Sequence, residues 1–356
     1  MAGERPRIQF EFIMNKHIYI YSPSGAVRDK AAFKRGVARL ISLGHEVEVD
    51  AAALASHLRF AGDDETRLAA IHRACASGAD VALISRGGYG LSRILPGIHY
   101  KAVAKAIDQG MRFVGISDFT AFQSAVLAKT GRVTWAGPAL CEGFGVGGKP
   151  NVASAPGASP QLVPDDIMEA CFDDLISGQG EGAGWRQLRE PKSRADSAAP
   201  AVSIETNLIA AHAISTGATA SFCINKSVLW GGNLAVLGSL VGTPYFPEIK
   251  GGILFLEDVA EHPYRIERLL TQLLHAGVLA RQKAILLGQF TDFKLVPHDR
   301  GYKLQSVVQW LRQQIKAPVL TNLPYGHVAT KVLLPVGAKT DLMVQGRDAL
   351  LFWGHA

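Results

Sequence analysis

The 356-residue chain has only four cysteines, Cys75, Cys141, Cys171 and Cys223, and none of them forms a C-x-x-C pair. That spacing argues against a zinc knuckle or a dense disulfide framework and fits a reducing compartment. Long apolar runs are also missing. The closest, Leu229 to Gly242, is short and broken by glycines, whereas a bilayer span needs roughly 18 to 20 uninterrupted apolar residues. The N-terminus, MAGERPRIQFEFIMNK, is charged through its first dozen residues and lacks the apolar core of an export signal, so a cytoplasmic setting is expected. Met14 is a candidate start, with residues 1–13 as an extension. The formal charge is +6, but the basic residues are scattered and no Lys/Arg run interleaves with aromatics. Nucleic acid and membrane are therefore not expected partners, and the basic balance suits an anionic small substrate. No H-E-x-x-H or close His/Cys cluster calls for a metal. The glycines at 143, 145 and 148 match G-x-G-x-x-G, but Lys149-Pro150 follows instead of a helix, so no dinucleotide cofactor is expected either.

What the sequence does have is 48% apolar residues in a repeating pattern. Short apolar runs at Ile18–Ser22, Glu46–Asp50, Val81–Ser85 and Phe113–Ser117 read as strands. Between them, Phe33, Val37, Leu40 and Ile41, then Leu68, Ile71 and Cys75, recur at helical spacing. The expected fold is α/β, with a doubly wound, mostly parallel N-terminal domain over residues 14–140. A Gly, Pro and Ala-rich stretch from about Gly137 and a polar stretch at 189–201 mark residues 141–227 as linker and insertion. The pattern resumes at Ile253–Leu256, with a helix carrying Ile266, Leu270 and Leu273, a strand at Ala284–Phe290 and a helix carrying Leu304, Val308 and Leu311. A strand-rich tail runs from Lys331 to Trp353. Residues 228–356 are thus expected to form a smaller mixed α/β domain.

In a parallel sheet ligands gather at the carboxyl ends of strands, which singles out Ser22–Gly25, Ser85–Gly90 and Gly115–Asp118. Ser117 stands at a strand-to-helix turn, where a hydroxyl is either a helix cap or a nucleophile raised above the sheet. The glycines of Ser85-Arg-Gly-Gly-Tyr-Gly90 serve either a tight turn or the close approach of backbone donors to an oxyanion. A serine nucleophile needs a base and an orienting acid. His327, in Leu323-Pro-Tyr-Gly-His, is a candidate base. Glu257 and Asp258, at the end of an apolar run, are candidate acids or helix caps.

Together SRGGYG, GISD, LWGGNL, ILFLED followed by PYRIERLL, and PYGH resemble the LD-carboxypeptidase family, the muramoyltetrapeptide carboxypeptidases among serine peptidases. The resemblance covers about residues 16–140 and 228–345. It implies a cytoplasmic enzyme, usually a homodimer, that removes the terminal D-alanine from murein tetrapeptides, free or sugar-linked, in cell-wall recycling without a cofactor. It implies Ser117 as nucleophile, Glu257 as orienting acid and His327 as base, with an oxyanion hole from the backbone N–H groups of Gly88 and Asp118. Arg86, Tyr89, Trp230 and Asn233 are candidate substrate contacts. The 140 positions from Ser117 to Glu257 exceed the family expectation, and the excess falls in about residues 178–227, which are either a solvated loop or a cover over the cleft. The rival readings are a microcin C immunity-type hydrolase of the same superfamily and a non-catalytic two-domain binding protein.

Overall fold

The structure, a computed structural model, describes residues 15–147, 163–189 and 221–354. The extension 1–13 and residues 190–220 of the insertion lie outside these. The first sheet holds β1 (His17–Tyr21), β2 (Glu46–Val49), β3 (Val81–Ile84), β4 (Arg112–Gly115) and β5 (Thr134–Ala136), all parallel, in the order 2-1-3-4-5. The order reverses between β1 and β3, and the crevice above such a reversal is where ligands bind in open α/β sheets. The loops after these two strands meet there: Ser22 Oγ lies 2.6 Å from Ser85 Oγ.

The helices α1 (Lys30–Ser42), α2 (Asp64–Ala76) and α4 (Tyr100–Asp108) flank this sheet, as their periodicity predicts. α3 (Leu91–Ile94) is a single turn. The helix after the serine turn, α5 (Phe119–Thr130), is buried nearly all round, from Phe119 through Leu127. It packs against strands of both sheets, so even its polar stripe, Thr120, Gln123 and Ser124, is buried.

The second sheet has seven strands, one more than the first with its added edge strand. β7 (Ser221–Asn233), β8 (Ile253–Val259), β9 (Ala284–Thr291) and β10 (Val319–Leu320) run parallel. β12 (Lys339–Gln345), β13 (Asp348–Phe352) and β6 (Gly182–Arg186) extend it antiparallel. α7 (Leu234–Ser239), α8 (Pro263–His275) and α9 (Leu304–Gln314) cover it. One continuous cluster of buried side chains runs from Tyr19 to Leu351, so the two lobes share a core.

Elements cross the domain limits read from the sequence. β11 (Leu334–Val336) leaves the C-terminal segment to pair antiparallel with β5, and β6 and the start of β7 come from the segment expected to be linker and insertion. The glycine-rich stretch after Gly137 is not a linker through its first ten residues. Leu140–Phe144 form a π-helical turn whose Leu140 and Phe144 are buried, and Phe144 packs edge-on to Phe172 of α6 (Asp166–Ser177) at 5.0 Å. Small residues there permit close packing: a methyl on Gly145 would fall 2.3 Å from the Ala32 carbonyl oxygen.

Candidate active site

β4 ends at Gly115, two residues before the predicted limit, and the chain turns into α5 through Ile116-Ser117-Asp118. Ser117 adopts φ +67°, the left-handed region that disfavours any side chain by about 1–2 kcal/mol. The N-cap position belongs to Asp118, which makes no side-chain capping bond, so α5 does not explain the serine. The Asp118 carboxylate instead accepts from Ser24 Oγ and, at 2.9 Å, from the Leu91 amide. This buried carboxylate ties the serine turn to the loops after β1 and β3, and burial pushes its pKa up.

Gly87 of the glycine turn faces the serine directly. A methyl there would fall 2.6 Å from Ser117 Cβ and 2.8 Å from its Oγ, so only glycine leaves room for the hydroxyl. Next to it, the amide of Gly88 donates to no acceptor among the described residues, and neither does the amide of Asp118. Gly88 is solvent-exposed.

From the other lobe, β8 carries Glu257 and Asp258. Its register shifts between Leu256 and Asp258, and this irregularity lets two consecutive carboxylates meet one partner instead of alternating across the sheet. Asn233 Nδ2 donates to both, to Glu257 Oε1 at 3.2 Å and Asp258 Oδ1 at 2.9 Å. Burial pushes the Asp258 carboxyl up to about 6. Glu257 has no exposed surface, and its Oε2 lies 2.8 Å from His327 Nδ1. Gly326, at φ +141°, makes this pairing fit: a methyl there would approach Gln289 O at 2.9 Å and Glu257 Oε2 at 3.3 Å. Burial alone would lower the His327 pKa, but the hydrogen bond and charge of Glu257 outweigh it and hold the ring above its ordinary value.

A line of hydrogen bonds joins the lobes. The Asn233 amide donates to Thr120 Oγ1, on the first turn of α5, at 2.9 Å, and the same residue's side chain reaches Glu257, which holds His327. This alters one sequence expectation. Asn233 is buried, both of its Nδ2 donors are spent on Glu257 and Asp258, and its Oδ1 accepts from Val236 N, so it orients the acid and has no donor left for a substrate. Trp230 is also not a substrate contact. It is 1% exposed, lies edge-on to Phe246, and donates its indole N–H to Gln282. Arg86 and Tyr89 do reach the surface beside the glycine turn. Arg86 Nη1 donates to the Ala26 carbonyl and its Nε lies 3.6 Å from Glu142, while Tyr89 is 45% exposed.

Two residues at the site escaped the sequence reading. Glu142 projects from the π-helical turn, which is fixed beside the glycine turn by the bond from Cys141 N to Ser85 O. Its side chain is half-exposed, and desolvation by the surrounding protein pushes its carboxyl pKa up. Lys331, four residues after His327, is 3% exposed. The only signal for Lys331 was its place near the PYGH motif, and Glu142 had none.

Among the described residues no helix is long and apolar enough to cross a membrane. Comparison with known proteins gives a consistent result. Sequence models of the LD-carboxypeptidase N-terminal and C-terminal domains match residues 18–137 and 226–342. The chain is 27% identical to a probable murein peptide carboxypeptidase of Bacillus subtilis (strain 168), covering 88% of this chain and 84% of that one. It is 29% identical to the murein tetrapeptide carboxypeptidase of Pseudomonas aeruginosa, covering 86% and 84%. Among solved structures, a muramoyltetrapeptide carboxypeptidase from Oxalobacter formigenes superposes with TM-score 0.74 at 33% identity, covering 95% and 98%. The microcin C7 self-immunity protein MccF, at TM-score 0.73 and 22% identity over 96% and 97%, shares the fold.

Proposed function

The chain belongs to the LD-carboxypeptidase family, and from that premise we propose that it is a serine L,D-carboxypeptidase releasing the terminal D-alanine from murein tetrapeptides. The observation that carries this reading is the 2.8 Å bond between His327 Nδ1 and the buried Glu257. With Nδ1 held by the acid, Nε2 is left to take the Ser117 proton as the hydroxyl attacks the carbonyl joining the L-centre of the third residue to D-Ala. The amides of Gly88 and Asp118 then receive the developing oxyanion, and Glu257 stabilises the imidazolium. The imidazolium protonates the departing D-alanine amine, and water activated by the same ring resolves the acyl-enzyme. In this scheme Arg86 and Tyr89 remain candidate substrate contacts at the rim.

Work in peptidoglycan recycling, a cytoplasmic location and a homodimer belong to the same proposal and rest on family resemblance. A serine-reactive phosphonate tests the chemistry: stoichiometric labelling of the folded protein at Ser117, abolished by Ser117→Ala, is expected. Absence of labelling would instead favour the non-catalytic binding protein.

A further inference from the structure

The mechanism above accounts for Ser117, Glu257 and His327 but leaves a buried cation beside them without a task. Lys331 is 3% exposed, and its ammonium makes no hydrogen bond and no ion pair within 4.0 Å among the described residues. Such a group is unusual, because lysine is almost never buried without a partner. The backbone holds it firmly: Thr330 Oγ1 donates to Asp165 at 2.6 Å, and the Val332 amide donates to Pro324 O at 2.8 Å. Three carboxylates, Glu142, Glu257 and Asp165, lie close enough to act on its charge without forming an ion pair within 4.0 Å, and the same charge acts on His327. Each has other partners: Glu257 takes His327 and Asn233, Asp165 takes Thr330 and Met168 N, and Glu142 faces Arg86. The side chain is buried along its length, but the ammonium itself keeps some accessible surface, stabilised by surrounding charge and not neutralised by contact. Desolvation lowers its pKa, and the three carboxylates work against that.

We infer that Lys331 receives the terminal carboxylate of the substrate, a role that rests on the carboxypeptidase reading and deepens it. An exopeptidase must recognise a carboxylate one residue beyond the carbonyl it attacks, a Cα-to-Cα step of about 3.8 Å. The receptor must therefore lie close to the base, and Lys331 is four residues from His327 on the same segment, near enough for its charge to act on the ring. Arg86 fits this role less well, since its guanidinium already donates to Ala26 O and faces Glu142. An ammonium with no acceptor among the described residues has its donors available to an incoming carboxylate.

The test compares a murein tetrapeptide ending in D-Ala with the same peptide ending in D-alaninamide, on wild type, Lys331→Met and Lys331→Arg. Wild type should strongly prefer the acid. Lys331→Met should lose about one to two orders of magnitude in kcat/KM on the acid while changing little on the amide, so that the preference collapses. Lys331→Arg should restore part of it. The acid limb of the pH profile of Lys331→Met should also move up, because a cation beside His327 has been removed. Thermal unfolding checks that the variants fold, and Lys331→Arg serves if Lys331→Met does not. An undiminished acid-over-amide preference in a folded variant overturns the role of Lys331 while the carboxypeptidase reading stands. No release by wild type from either peptide overturns both.

Discussion

Gly87 packs against Ser117 so closely that a methyl group on it would lie 2.6 Å from the serine Cβ and 2.8 Å from its Oγ. The serine cannot retreat freely, because its backbone already stands at φ +67° between β4 and α5. Gly87→Ala should therefore leave the fold intact but displace the hydroxyl, lowering kcat/KM by about 100-fold or more, since small misplacements of reacting groups carry penalties of that size. Steady-state kinetics beside a circular dichroism spectrum checks this, and an alanine variant with near-normal activity contradicts the steric argument.

The strain at Ser117 gives a second expectation. Ser117→Gly should be inactive yet more stable than Ser117→Ala by about 1 kcal/mol, because glycine adopts this conformation without steric penalty. Urea unfolding of the two variants measures the difference. Equal midpoints would show that the turn holds no strain worth relieving.

His327 must be neutral to act as a base, and Glu257 holds its pKa above the ordinary value. Activity should thus fall as pH drops through a value above about 6.5. Glu257→Gln should move that acid limb to lower pH and reduce kcat by about 10³- to 10⁴-fold, the scale seen when the orienting acid of a triad is neutralised. The stability effect has the opposite direction in pH. A raised histidine pKa contributes stability that is fully present below the unfolded value and is lost as pH rises through the folded one. The Glu257→Gln variant should lack this dependence, which denaturation at a series of pH values would reveal.

Asn233 links Thr120 of α5 to Glu257 and Asp258. Asn233→Ala should lower kcat with little change in KM, since the residue positions the acid and does not touch substrate. Asn233→Asp is expected to be worse for folding. It would bring a third carboxylate against two buried ones and should destabilise by about 3–5 kcal/mol, the range for an uncompensated buried charge. A raised KM with unchanged kcat in Asn233→Ala would return this residue to the substrate pocket.

The parallel sheet was legible because its strands are short apolar runs separated by helices of clear period, and β1 to β4 fall within two residues of expectation at every end. The serine turn was legible because GISD sits where a strand must stop. Burial and pairing between distant segments were not. Phe119, Phe122 and Val126 mark α5 as a helix but not that its polar Thr120, Gln123 and Ser124 are buried too, and β11 reads as part of the C-terminal segment although it completes the first sheet. Glycine-rich composition suggested a linker after Gly137, where close packing against α1 needs small residues. Trp230 and Asn233 lie in a motif near the chemistry, but only the structure shows that their polar groups already have protein partners. Lys331 could not be singled out, because its significance is a side chain buried in three dimensions with no hydrogen-bond or ion-pair partner among the described residues.

The most direct test of the central claim is D-alanine release from the tetrapeptide L-Ala, D-Glu, diaminopimelate, D-Ala, comparing wild type with Ser117→Ala and with an all-L control peptide. The account predicts release by wild type alone, and only from the L,D bond. Release that persists in Ser117→Ala, or no release from any muropeptide, would contradict it and direct attention to the acyl-nucleotide chemistry of the microcin-type relatives or to a binding role.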